Sequence, residues 1–237
     1  MRWVLDHTGR FPRRPHYTTD ELEQACEDLL RELRTVRPTP APAAPLSTDD
    51  LIVLIERRAG DLDLYADLTT EGADVEALTD FVPGQRPRVR VRSQLSDHPR
   101  HAHRLRTTLA HELAHVVLHD FIWWFDQGRL DAERALALSP RCQRARAGGS
   151  TDWMEWQANY AAGALLMPDG ALRRLLDAGD ARYVRSSGGR QRLRQVQGVF
   201  DVSAEAARVR LLQLGYLSQR PSAVLAAPVP AGLKRGG

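Results

Sequence analysis

The chain is predicted to fold as an α+β protein, a small mixed sheet packed with a long central helix and further helices, on three observations. The stretch "RTTLAHELAHVVLH" sets His111, Glu112 and His115 in an almost continuously apolar run of helical period. Ahead of it, "LDLYADL", "ALTDFV" and "PRVRVR" look like short strands. The 237 residues, 43% apolar and 27% charged, suffice for one substantial core and an appendage.

In chain order, Thr18 or Thr19 caps a first helix whose Leu22, Ala25, Leu29, Leu30 and Leu33 recur at helical spacing. Pro38, Pro40, Pro42 and Pro45 then favour extended polyproline geometry, so residues 1–46 read as an N-terminal helix and a stiff linker that docks it from a distance. Ser47 opens a second helix, "STDDLIVLIERRAG", which closes at Gly60, and the three strands follow. From Arg104 onward the reading is helical: the motif helix, an aromatic turn "FIWWF", a segment around Leu130 to Leu138, and a helix from Asp152 to Leu166. Ser203 caps a last helix, closed by Gly215. The expected divisions are a main domain over 47–180, a helical portion over 181–218 and a disordered tail over 219–237.

No run of about 18 apolar residues exists to cross a bilayer, and the N-terminal stretch lacks the apolar segment of a signal peptide. Two cysteines, Cys26 and Cys142, offer at most one bridge, so a reduced cytoplasmic protein is expected. A formal charge of +3, from 33 basic and 30 acidic residues, is weak support for an acidic partner. The Arg-rich run from Arg173 to Arg194 offers a weak nucleic-acid contact, but it lacks interleaved aromatics and reads better as a solvated helix face.

Residues four apart on a helix return to the same face about 6 Å further along, so His111 and His115 can aim their rings at one point. Zinc accepts imidazole there, and Glu112 then stands beside the ion, where a base acting on water is needed. The alternative, polar residues on a solvent face, fits poorly. The flanking Leu109, Ala110, Leu113, Ala114, Val116, Val117 and Leu118 bury the helix, and an unpaired buried polar group costs roughly 1–3 kcal/mol.

A third ligand is needed. Leu118 and Phe121 stand where a metzincin pattern requires Gly and His, which excludes that class. His119, a further turn along, supports the centre or the fold rather than binding the ion. Glu155 in "TDWMEWQANYAAGALLMP" is the favoured ligand over Asp152 and Glu133. Ala158, Ala161, Ala162, Gly163 and Ala164 let its helix approach closely, and Asn159 shares its face and can orient a ligand imidazole.

Together, "RLRTTLAHELAHVVLH", "EWQANYAAGALLMP" and "VFDVSAEAARVRLLQLG" resemble the ImmA/IrrE family of bacterial metallo-endopeptidases over roughly Ser47 to Leu217. The resemblance implies a minimal, gluzincin-like zinc-peptidase fold with a helix-turn-helix-like C-terminal portion. It implies Zn²⁺, replaceable by Mn²⁺, held by His111, His115 and Glu155, with Glu112 as general base. It also implies a protein substrate, commonly a helix-turn-helix repressor whose cleavage relieves repression. The long stretch between His115 and Glu155 departs from the family pattern and is expected to reshape the substrate cleft.

The strand "PRVRVR" is expected either to receive an extended substrate on its edge or to protect that edge with Arg88, Arg90 and Arg92. His101, His103 and Tyr160 are candidate oxyanion stabilisers. The rival functions are a DNA-binding regulator that reads with the Ser203 to Leu214 helix and keeps a non-catalytic metal, and a protein that sequesters a repressor without cutting it.

Overall fold

The computed structural model describes residues 1–37, 45–125, 137–143, 152–176 and 182–220. The Pro/Ala linker over 38–44, Glu133, most of the segment around Leu130 to Leu138, and the tail beyond 220 lie outside the described residues.

Local sequence signals set most element ends. A hairpin of β1 (Arg2–Leu5) and β2 (Arg13–His16) precedes α1 (Thr19–Val36), which Thr18 opens in a capping box with Glu21. Ser47 and Asp50 make the same reciprocal cap for α2 (Thr48–Glu56). Then come β3 (Asp61–Ala66), β4 (Val75–Asp80) and β5 (Arg88–Arg92), a single turn α3 (Ser93–Ser96) and the long α4 (Ala102–Phe125). After β6 (Arg141–Gln143), the remaining helices are α5 (Trp153–Leu166), α6 (Asp169–Leu175), α7 (Ser187–Phe200) and α8 (Ala204–Gln213), with β7 (Arg182–Tyr183) paired to β8 (Leu217–Ser218). Gly215, at φ 75°, supplies the left-handed residue that closes α8.

The α+β class holds. The main sheet has the order β3-β5-β4-β6, with β3 parallel to β5 and the other pairs antiparallel, so it is mixed. Val89 and Val91 turn to the core while Arg88, Arg90 and Arg92 turn away, the period of two that any strand imposes. One core then runs from this sheet through α4 and α5 to α7 and α8. Leu22, Cys26, Leu29, Leu30 and Leu33 of α1 lie in that same core, and α1 packs directly on α5.

The "FIWWF" segment is helix rather than turn: with Ile122 and Trp123 buried, Trp123 stacked on Phe81 at 4.1 Å and no Gly or Pro to break it, α4 continues to Phe125. Strand β5 has no free edge, because β3 and β4 bond to its two sides. Its arginines serve the fold instead: Arg90 pairs with Asp80 and Glu71, and Arg92 donates to the carbonyls of Leu68, Gly72 and Val75. Both readings of "PRVRVR" as an edge therefore fail.

The hairpin β1–β2 has no counterpart in the sequence reading. Its turn is built on Asp6, whose carboxylate accepts from the backbone N–H groups of Thr8 and Phe11. Phe11 then inserts edge-on between Trp123 and Trp153, with centroids at 5.4 and 6.3 Å, and Arg10 pairs with Asp152 at 2.9 Å. The hairpin thus clamps the end of α4 to the start of α5.

Candidate metal centre and active site

Helices α4 and α5 cross closely because α5 presents Ala158, Ala161, Ala162 and Ala164 to the core. That approach brings Glu155 to the histidine pair. His111 Nε2 lies 3.1 Å from Glu155 Oε2, His115 Nε2 lies 3.4 Å from Glu155 Oε1, and the two Nε2 atoms face each other at 3.0 Å. The three ligand atoms all fall within 4.8 Å of one another.

These residues fit a divalent cation. Two imidazole nitrogens and a carboxylate are a zinc donor set, and two ring nitrogens turned toward each other are reconciled by a cation between them. The side chain of Glu155 is 27% exposed, so the cluster opens to solvent on that side, whereas His115 and Glu112 are fully buried. The Cys26 thiol is engaged away from the site: it donates to Ala161 O, and burial pushes its pKa up to about 12.

Glu112 lies beside the cluster and not within it. Its Oε2 accepts from Thr79 Oγ1 at 2.5 Å, while its buried Oε1 makes no hydrogen bond among the described residues. Burial raises the Glu112 pKa to about 7, against the opposing pull of His111 and Thr79. Burial acts on Glu155 in the same direction, but the facing imidazoles of His115 and His111 outweigh it and hold the carboxyl well below its ordinary range. His111 is lifted, its burial overcome by Glu155; His115 and His119 are lowered by burial.

The polar residues behind the ligands are in place. Asn159 Oδ1 faces His111 Nδ1 at 3.1 Å, and His119 Nδ1 faces His115 Nδ1 at 2.9 Å, so His119 points at a ligand and not at the metal position. His119 Nε2 in turn meets Gln157 Oε1 at 2.9 Å. Asp152, the competing carboxylate, is occupied as the cap of α5 and by Arg10. The oxyanion candidates are engaged elsewhere: Tyr160 with Glu23, His101 with Gln94 O, and His103 with Asp201.

Thr79 and Gln157 escaped the sequence reading. Each carried a faint signal, a hydroxyl or amide standing alone among apolar neighbours on a core-facing position.

The buried Glu112 makes metal-free stability depend on pH. Its folded pKa of about 7 lies above the ordinary 4.5, so its stabilising contribution is complete below about pH 4.5 and is lost as pH rises through about 7. Glu112→Gln stays neutral throughout. In chelator-treated protein the variant should gain on wild type between pH 5 and pH 8 by on the order of 3 kcal/mol. Denaturant unfolding at both pH values checks this, and a gap that does not widen refutes it.

An α+β body that sets two histidines of one helix against a carboxylate of a second, with a buried glutamate beside them, defines the HExxH class of metallopeptidase folds. The chain belongs to the IrrE N-terminal-like domain family (Peptidase_M78), which it matches over residues 75–212, more than half its length. No curated protein matches it. The matched region begins with β4 and ends within α8, and it includes every residue of the cluster.

Proposed function

We propose that the chain is a zinc-dependent endopeptidase that cleaves a helix-turn-helix repressor in the cytoplasm and so relieves repression. The observation that carries the chemistry is the convergence of His111, His115 and Glu155 beside a buried glutamate. Membership of a peptidase family supports it, and no helix among the described residues is long and apolar enough to cross a membrane.

When bound, Zn²⁺ or Mn²⁺ would supply a Lewis acid for activating water and the scissile carbonyl. His111, His115 and Glu155 would hold it, with Asn159 orienting the first imidazole and His119 the second. Glu112 accepts the proton of the attacking water and delivers it to the leaving amine, a role suited to a buried carboxylate that stands beside the cluster with one oxygen unengaged among the described residues. Thr79 anchors one Glu112 oxygen and leaves the other free for that transfer.

A peptidase cleft holds an extended backbone, so a folded repressor must open locally before it can be cut. The substrate cannot add to β5, which is enclosed, and the far side of β4 is taken by β6, a strand from the long stretch between His115 and Glu155. Cleavage is therefore expected to be slow and selective. The test is incubation with the genomically adjacent repressor and Zn²⁺ or Mn²⁺, with fragments mapped by mass spectrometry. Discrete cleavage supports the reading; an intact repressor held in a stable complex favours sequestration.

The DNA-reading alternative draws little from α8. Arg210 is buried against Met167 O and Glu23, and Arg208 pairs with Glu205 on its own helix. Arg192, in the Arg-rich run, donates to Tyr216 O.

A further inference from the structure

We propose that Gln157 and His119 are positioning residues for the metal centre, the links of a hydrogen-bond chain that starts at the backbone carbonyl of Pro15 and fixes the tautomer of His115. The proposal rests on the metal-centre reading above and extends it to the N-terminal hairpin.

The direction of the chain follows from its first member. A backbone carbonyl can only accept, so the group facing Pro15 O at 3.0 Å must be the Gln157 amide nitrogen. The Gln157 oxygen is then the atom 2.9 Å from His119 Nε2, and it accepts from that nitrogen. A buried imidazole that meets an amide oxygen at Nε2 and another imidazole nitrogen at Nδ1 donates through the first and accepts through the second, with its one proton on Nε2. With that proton on Nε2, its Nδ1 accepts, and the donor 2.9 Å away is His115 Nδ1–H. His115 Nε2 is left bare, its lone pair aimed at the point shared with His111 and Glu155.

Reversing any link places two acceptors or two protons face to face in a site closed to water. The opposite tautomer of His115 would put a proton where the cation belongs. At His111 a separate amide, Asn159, does the corresponding work. The two ligand histidines are thus oriented from different places: His111 from within α5, and His115 from β2 through α5. Residues 1–16 lie outside the region matched to the family, so this anchor is contributed by a part of the chain that the family match does not cover.

The closing experiment compares His119→Phe with His119→Gln. Phenylalanine preserves the edge-on packing against Trp153 but cuts the chain; glutamine packs worse, yet can accept from His115 Nδ1–H and donate to Gln157 Oε1. Zn²⁺ affinity, measured by competition with a chromogenic chelator, should fall about 10–100-fold in His119→Phe and stay within about threefold of wild type in His119→Gln. A packing role alone predicts the reverse order. In Zn²⁺-loaded wild type, ¹⁵N shifts should show His119 as the neutral Nε2–H tautomer, a reading that holds even where a variant fails to fold. An Nδ1–H tautomer at His119, wild-type affinity in His119→Phe, or equal losses in both variants overturns the proposal. Wild type that binds no Zn²⁺ overturns the metal centre itself, whereas wild type that binds it beside an equally tight His119→Phe removes the relay alone.

Discussion

Glu112→Gln is expected to lower kcat/KM for the cleaved substrate by about 10²–10⁴-fold while the chain stays folded and retains its metal. The amide has the shape of the carboxylate and keeps an oxygen for the Thr79 hydroxyl, so the local structure has no reason to move. What it loses is the capacity to take a proton from water and return it to the leaving amine. Metal content measured beside the rate separates this loss from a damaged site. A sequestering protein would be indifferent to the change, so undiminished activity in Glu112→Gln would remove hydrolysis as the function.

Wild-type protein should carry one divalent ion per chain, and His111→Ala and Glu155→Ala should each weaken binding by more than about 100-fold, beyond the 10–100-fold typical of a group that only orients a ligand. The three donor atoms form the one such group among the described residues. Asp152→Ala is the control. Its carboxylate caps α5 and pairs with Arg10, so removal should cost stability and leave the metal in place. Elemental analysis and chelator competition decide the matter; full metal in Glu155→Ala would return the third ligand to the remaining carboxylates.

The parts of the site that were legible in the sequence lie on single helices. His111 and His115 share a face because 3.6 residues make a turn, whatever surrounds the helix, and the same periodicity ties Asn159 to Glu155. The small residues of α5 told that another helix must come near it, close enough for Glu155 to reach the ion. Thr79 was not legible as the partner of Glu112, since the two are joined across 33 positions by the way β4 lies over α4. Nor was Gln157 as the partner of Pro15, 142 positions away.

Strand order behaved likewise. The alternation in "PRVRVR" correctly separated its inward valines from its outward arginines, yet alternation is identical in an edge strand and a central one. The aromatic run after the motif helix invited a turn because nothing local marked it as buried; Phe81 and Phe11, far away in sequence, are what bury it.

By itself, then, the sequence determined the α+β class, the N-terminal helix caps, the spacing of the two histidines and the family, because each depends on interactions within a few residues or on a contiguous pattern; the second helix, expected to close at Gly60, ends at Glu56. Only the tertiary structure decided that β5 is enclosed, that α1 joins the main core, and that the N-terminal hairpin reaches the metal centre through Gln157 and His119. Those outcomes depend on which buried donor meets which acceptor once the core closes, and in a site without water each such group takes the partner that packing brings within about 3 Å.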